Sequence, residues 1–139
     1  MSAMKKSAWV VDDDEDHIRT LQNMFTSLGF DSKIFAYPRD VEDNVTNGFN
    51  PDLLLVNLNL SENRAVELIA YIRENELLDD PPIIILSDEY NEESEYAIQI
   101  GADDQLSFPL TLEELETAVS NAYERRNQEE IIEEDQEEF

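Results

Sequence analysis

A chain of 139 residues suits one compact domain with a short tail, and no separate output domain is expected. Its 34 acidic and 9 basic side chains give a formal net charge of -25, which repels nucleic acid and anionic membrane surfaces, so neither is an expected partner. With no cysteine, disulfide frameworks and thiolate metal sites are excluded.

Met1 to Lys6 lacks the apolar run of a secretion signal, and no later segment approaches the roughly 20 apolar residues of a membrane span, so a cytoplasmic protein is expected. Ser7-Ala8-Trp9-Val10-Val11 reads as a strand that stops at Asp12-Asp13-Asp14. A helix with Ile18, Leu21, Phe25 and Leu28 on one stripe follows until Gly29. Phe30 to Tyr37 reads as a second strand, less apolar and so nearer an edge. Pro38 suits the first turn of a short helix carrying Val41 and Val45 and closed by Asn47-Gly48.

Pro51 to Leu60 opens with turn residues, becomes a short apolar run and meets an amide, Asn57, where the run ends. Such a run, covered on both faces, predicts a central parallel strand. Ligands in open α/β sheets bind beyond the carboxyl ends of the strands, so Asn57 stands where chemistry is expected. Ser61 then caps a helix whose inward face includes Val66, Ile69 and Ile72, before Asp79-Asp80-Pro81-Pro82 breaks the chain.

Ile83-Ile84-Ile85-Leu86 is the most β-prone run; it ends at Ser87 and precedes a weaker helix over Glu93 to Ile100, closed by Gly101. Gln105-Leu106-Ser107 makes a short fifth strand before Phe108-Pro109. The last helix places Leu112, Leu115, Val119 and Ala122 on one side. Five strands alternating with five helices predict an α/β fold: a doubly wound, five-stranded parallel sheet with helices on both faces and right-handed crossovers.

The expected boundaries are residues 1–6 for an N-terminal extension, 7–126 for the domain and 127–139 for an acidic tail, read as a frayed helix end or a disordered segment. Gln128 to Phe139 holds seven acids and no base, leaving 27 acids and all 9 bases in the body, a net -18. A tail cannot explain that excess, so either the host is salt-rich or the surface meets a basic partner.

Val10-Val11-Asp12-Asp13, the run ending at Asn57-Leu58-Asn59-Leu60, Ser87, and Gly101-Ala102-Asp103-Asp104-Gln105-Leu106-Ser107-Phe108-Pro109 together resemble the receiver domain of bacterial two-component response regulators. The resemblance covers roughly Ser7 to Arg126 and implies a flavodoxin-like, receiver-type fold in a phosphorelay. It implies that Asp12 and Asp13 are the acid pair that helps bind magnesium, which takes one or two carboxylates plus waters. The backbone carbonyl of Asn59 would be a further ligand. From the residues alone, Asp12 to Asp14 equally read as caps that complement the first helix dipole, with Asp14 the purest cap.

The acceptor position implied by the resemblance is Asn57, and an amide offers neither a carboxylate nucleophile nor a negative charge. Ser87 matches the small hydroxyl residue that reaches the phosphoryl oxygen; its bland reading is a turn or cap, favoured where no phosphoryl group arrives. Gln105 occupies the place of an aromatic rotamer switch, Phe108 replaces the lysine that pairs with the acceptor, and Pro109 carries the expected cis bond. The proline usual after the acceptor segment is Ser61, and the glycine usual a few residues on is Ala65.

Asn57 and Phe108 together delete a salt bridge. A lysine left facing Asn57 would lack its partner, at a cost of about 3–5 kcal/mol for a broken buried pair, and losing both avoids it. His17, the only histidine, falls in the first helix and reads as a surface residue without a role, as Tyr96, Tyr123 and Phe139 also do.

These residues point to a pseudo-receiver that is not an enzyme and acts in signal transduction by protein binding, independent of phosphorylation. The resemblance places its partner contacts on the fourth helix, fifth strand and last helix, including parts of Glu93 to Ile100, Gln105 to Ser107 and Thr111 to Tyr123, with a homodimer as one form. No cofactor is expected beyond weakly held magnesium. The rival is a divalent-metal-responsive receiver using Asp12 and Asp13; a third reading takes Asp88 as an unusual acceptor.

Overall fold

In the computed structural model, residues 5–62 and 64–137 are described, with side chains through residue 128. Most of the N-terminal extension, the acids of the tail beyond Gln128 and Phe139 lie outside the described side chains. The elements alternate: β1 (Lys6–Val11), α1 (Glu15–Ser27), β2 (Phe30–Phe35), α2 (Pro38–Thr46), β3 (Leu53–Asn57), α3 (Ala65–Glu74), β4 (Ile83–Leu86), α4 (Glu92–Ile100), β5 (Asp104–Leu106) and α5 (Leu112–Glu137). All strand pairs are parallel, in the order β2-β1-β3-β4-β5, the doubly wound sheet expected.

Each element follows from its residues. Every residue of β3 is buried because helices cover both faces, which is why its apolar run does not alternate. Alternate strand positions feed two cores. Trp9, Val11, Leu54, Val56, Ile83 and Ile85 pack with α2, α3 and α4, whereas Ala8, Val10, Leu53, Leu55, Ile84 and Leu86 pack with α1 and α5. β2 is an edge strand, and Lys33 in its middle discourages pairing with another chain.

Asp14 caps α1 by accepting from the N–H groups of Asp16 and His17. Gly101, at φ 134°, ends α4 where a Cβ would meet the Arg73 side chain 2.6 Å away. Among the described residues no helix is long and apolar enough to cross a membrane.

Two local expectations are corrected. Ser61 does not cap α3: the helix starts at Ala65 after Arg64, four residues beyond Ser61, whose N–H donates instead to Asp13 Oδ2 at 3.1 Å. Leu112 lies in the first turn of α5 and is 39% exposed, so the inward stripe is Leu115, Ala118, Val119 and Ala122. The helix of the domain runs on into the tail segment, since α5 continues to Glu137.

Candidate functional site

The strand order turns back between β1 and β3, and the crevice beyond their carboxyl ends is where such sheets bind ligands. Parallel pairing sets Val11 beside Val56, so the next residue of each strand, Asp12 and Asn57, falls in that crevice. Asp12 has no exposed side-chain surface and Asn57 is 6% exposed.

Asn57 is fixed in one orientation. Its Oδ1 accepts the Asn59 N–H at 2.8 Å, which turns Nδ2 toward Asp12 Oδ1 at 3.0 Å. The same Asp12 oxygen accepts the Asp14 N–H at 3.1 Å. Asp12 Oδ2 lies 3.0 Å from His17 Nδ1, which must carry the proton to donate there. The buried carboxylate is thus satisfied at both oxygens by groups of its own chain.

His17 is therefore not a surface residue without a role. Its side chain is 24% exposed, and its ring stacks on Phe108 with centroids 4.0 Å apart and planes 3° from parallel. It is the third residue of α1, and helical Cα–Cβ bonds tilt toward the N-terminus, so its side chain reaches back over the end of β1. Asp14 as cap and His17 three residues on were the signal for that placement. The His17 backbone N–H also holds the exposed Asp14 carboxyl below its ordinary value.

The other expected site residues divide. Phe108 joins the acid pocket through His17 and packs on the α1–α5 core, and its bond to Pro109 is cis. Asp13 is exposed and tied to Ser61. Ser87 is buried, and its hydroxyl donates to the Glu89 carbonyl at 2.7 Å, the local turn bond of the bland reading. Gln105 Nε2 donates to the same carbonyl at 3.4 Å, while its Oε1 is buried with no partner among the described residues. Asp88 is exposed beyond β4.

As arranged, these donors do not fit a magnesium ion. Both Asp12 oxygens are occupied by N–H groups, and Asn57 presents a donor where a cation needs an acceptor. Among the described residues no group of three or more His, Cys, Asp or Glu is placed to hold a metal ion.

The family model for the response regulator receiver domain matches residues 8–120. A response regulator receiver domain protein (CheY-like) from Methanospirillum hungatei superposes with a TM-score of 0.77 at 19% identity, over 91% of this chain and 99% of that one. A two-component response regulator from Clostridium difficile gives 0.74 at 22% identity, over 88% and 99%. The receiver domain of the TMAO respiratory system response regulator TorR gives 0.74 at 25% identity, over 86% and 98%. No curated protein matches at the level of sequence.

Proposed function

This chain belongs to the family of response regulator receiver domains, and on that footing we propose that it signals by binding a protein partner without accepting a phosphoryl group. The Asn57–Asp12 hydrogen bond carries the proposal. An amide nitrogen stands where an acyl phosphate would need a carboxylate oxygen, and it spends its donor on the acid that would otherwise hold the cation. With His17 on the other oxygen, the pocket is satisfied without any ligand. The protein is then a cytoplasmic signalling module with no catalytic step of its own, and the surface of α4, β5 and α5 carries its contacts.

Intact mass after exposure to acetyl phosphate and magnesium tests this. The mass should not change, and a stable gain of one phosphoryl group overturns the proposal.

A divalent-metal-responsive receiver is the second reading, favoured by the exposed Asp13 carboxylate beside the buried Asp12. It requires the Asn57 and His17 bonds to Asp12 to open. Calorimetric titration with magnesium or calcium decides it: binding heat that vanishes in Asp13→Asn makes metal the input signal.

A further inference from the structure

The acids of this protein are unevenly placed. Residues 74–124 hold 15 acids and no lysine, arginine or histidine, whereas the first 73 residues hold 12 acids against 7 bases. That span lies on one side of the molecule, because it supplies β4, α4, β5 and the first half of α5, the two strands at one margin of the sheet and the helices beside them. Charge serving solubility or salt tolerance alone has no reason to leave cations across one half and none across the other. Three arginines do stand at the borders of the span. Arg73 and Arg126 turn inward, 2.9 and 2.7 Å from the buried Asp103, whereas Arg125, 3.8 Å from the same carboxylate, stays half exposed in the second half of α5.

The same side exposes large apolar surface. Tyr90 is 71% exposed and Tyr96 53%, with Leu112 across β5 at 39%. Tyr96 shares the outer stripe of α4 with Glu92, Glu95 and Gln99, all exposed. Between β5 and α5 an open cleft of about 400 Å³ is lined by Leu106 and Ala118, with Asp104, Glu113 and Glu114 also along it. An aliphatic stem with a cationic head matches that mixture of apolar and acidic lining.

We propose that this face docks a basic segment of a protein partner, whose lysine or arginine stems lie on Leu106 and Ala118 with their heads against Asp104 and Glu113, while an apolar neighbour packs on Tyr96. The proposal rests on the protein-binding function above and names the chemistry of the partner. A second copy of this chain is a poor occupant, since a two-fold contact sets the base-free face against itself. Aromatic anchors beside complementary charge supply affinity and fast encounter respectively.

The test is a fluorescence-anisotropy titration of the full chain with a labelled amphipathic peptide of lysine and leucine, at physiological ionic strength. Reversing Glu92→Lys, Glu95→Lys and Glu113→Lys together should weaken binding at least about tenfold, equal to about 1.4 kcal/mol. Reversing three exposed acids of the other half, Asp31→Lys, Asp43→Lys and Glu62→Lys, changes the total charge equally and should cost under about twofold. Tyr96→Ala with Leu112→Ala, which leave charge untouched, should weaken binding several-fold. Equal losses from the two reversals mean diffuse attraction and overturn the proposal, as does indifference to the Tyr96 and Leu112 changes. Repeating the titration after acetyl phosphate and magnesium separates the two ideas. Binding that needs that treatment, together with a gain in mass, sinks phosphorylation independence and leaves the docking face standing.

Discussion

The imidazole of His17 lies flat on the ring of Phe108, 4.0 Å between centroids, and the same imidazole reaches Asp12 Oδ2 at 3.0 Å. An imidazole held this way needs an apolar plate against its face and an acceptor at its edge. Phe108 supplies the first and Asp12 the second. A lysine at 108 would instead bring a cation beside the Nδ1–H. Phe108 is thus more than a lost lysine: it is the platform that lets His17 serve the buried acid.

His17→Ala should lower stability by about 1.5–3 kcal/mol, the usual worth of a hydrogen bond to a charged group. His17→Phe keeps the stack and loses the donor, so it should recover only part. Urea unfolding of the three proteins checks this, and a His17→Ala midpoint equal to that of the parent would return the residue to the surface class.

Asn57→Asp replaces a donor 3.0 Å from Asp12 Oδ1 by an oxygen, so the variant should melt lower without metal and gain from magnesium. Its phosphorylation by acetyl phosphate should stay slow, because Phe108 brings no cation to the transferring oxygens. One such contact is typically worth about 2.7–4 kcal/mol, or roughly 100- to 1000-fold in rate. Adding Phe108→Lys should recover rate while costing up to about 3–5 kcal/mol of stability through the lost ring. Equal rates for the single and double variants would make Phe108 irrelevant to the missing chemistry.

Asp103 is a structural acid. Burial pushes its carboxyl up, while the Ile83 N–H, Arg73 and Arg126 pull it back. Asp103→Ala removes the buried carboxylate that Arg73 and Arg126 share at the start of β4 and should cost about 3–5 kcal/mol, read by thermal melting at neutral pH. A shift of a degree or two would mean that this carboxylate adds little to the fold.

Tyr123 donates to the Asp52 carbonyl at 2.9 Å, and burial, then the Asp52 charge, push its phenol up to about 12. Because the folded value lies above the unfolded one, its contribution is complete below about pH 10 and is lost as pH rises toward 12. Phenolate absorbance should show a late-titrating group that disappears in Tyr123→Phe. The variant's stability should also fall less than the parent's over that interval.

Stability should rise with sodium chloride. Salt shortens the screening length from about 30 Å at 0.01 M to about 3 Å at 1 M, and the base-free span from Glu74 to Glu124 has most repulsion to lose. A flat melting temperature across that range would mean that its carboxylates are too far apart to interact.

The order of elements, the parallel sheet and the place of the crevice were legible in the sequence. Short fully apolar runs such as Leu53–Val56, alternating with helical stripes, admit little else, and the acids after Val11 and the amide after Val56 follow from chain order. Asp14 as cap, Pro38 in the first turn of α2 and Gly101 at the end of α4 were legible for the same local reason. Contacts between distant segments were not. Helix α3 begins four residues after Ser61, whose N–H goes to Asp13, 48 residues away, and the seating of α5 on β5 leaves Leu112 facing outward. Periodicity leaves His17 without a role because it reports which face of a helix is apolar, not what waits at its end. Only the folded chain brings Asp12 and Phe108 to one imidazole and Asn57 to the other oxygen of Asp12, since hydrogen bonds and ring stacking act over a few ångströms of space, whatever the separation along the chain.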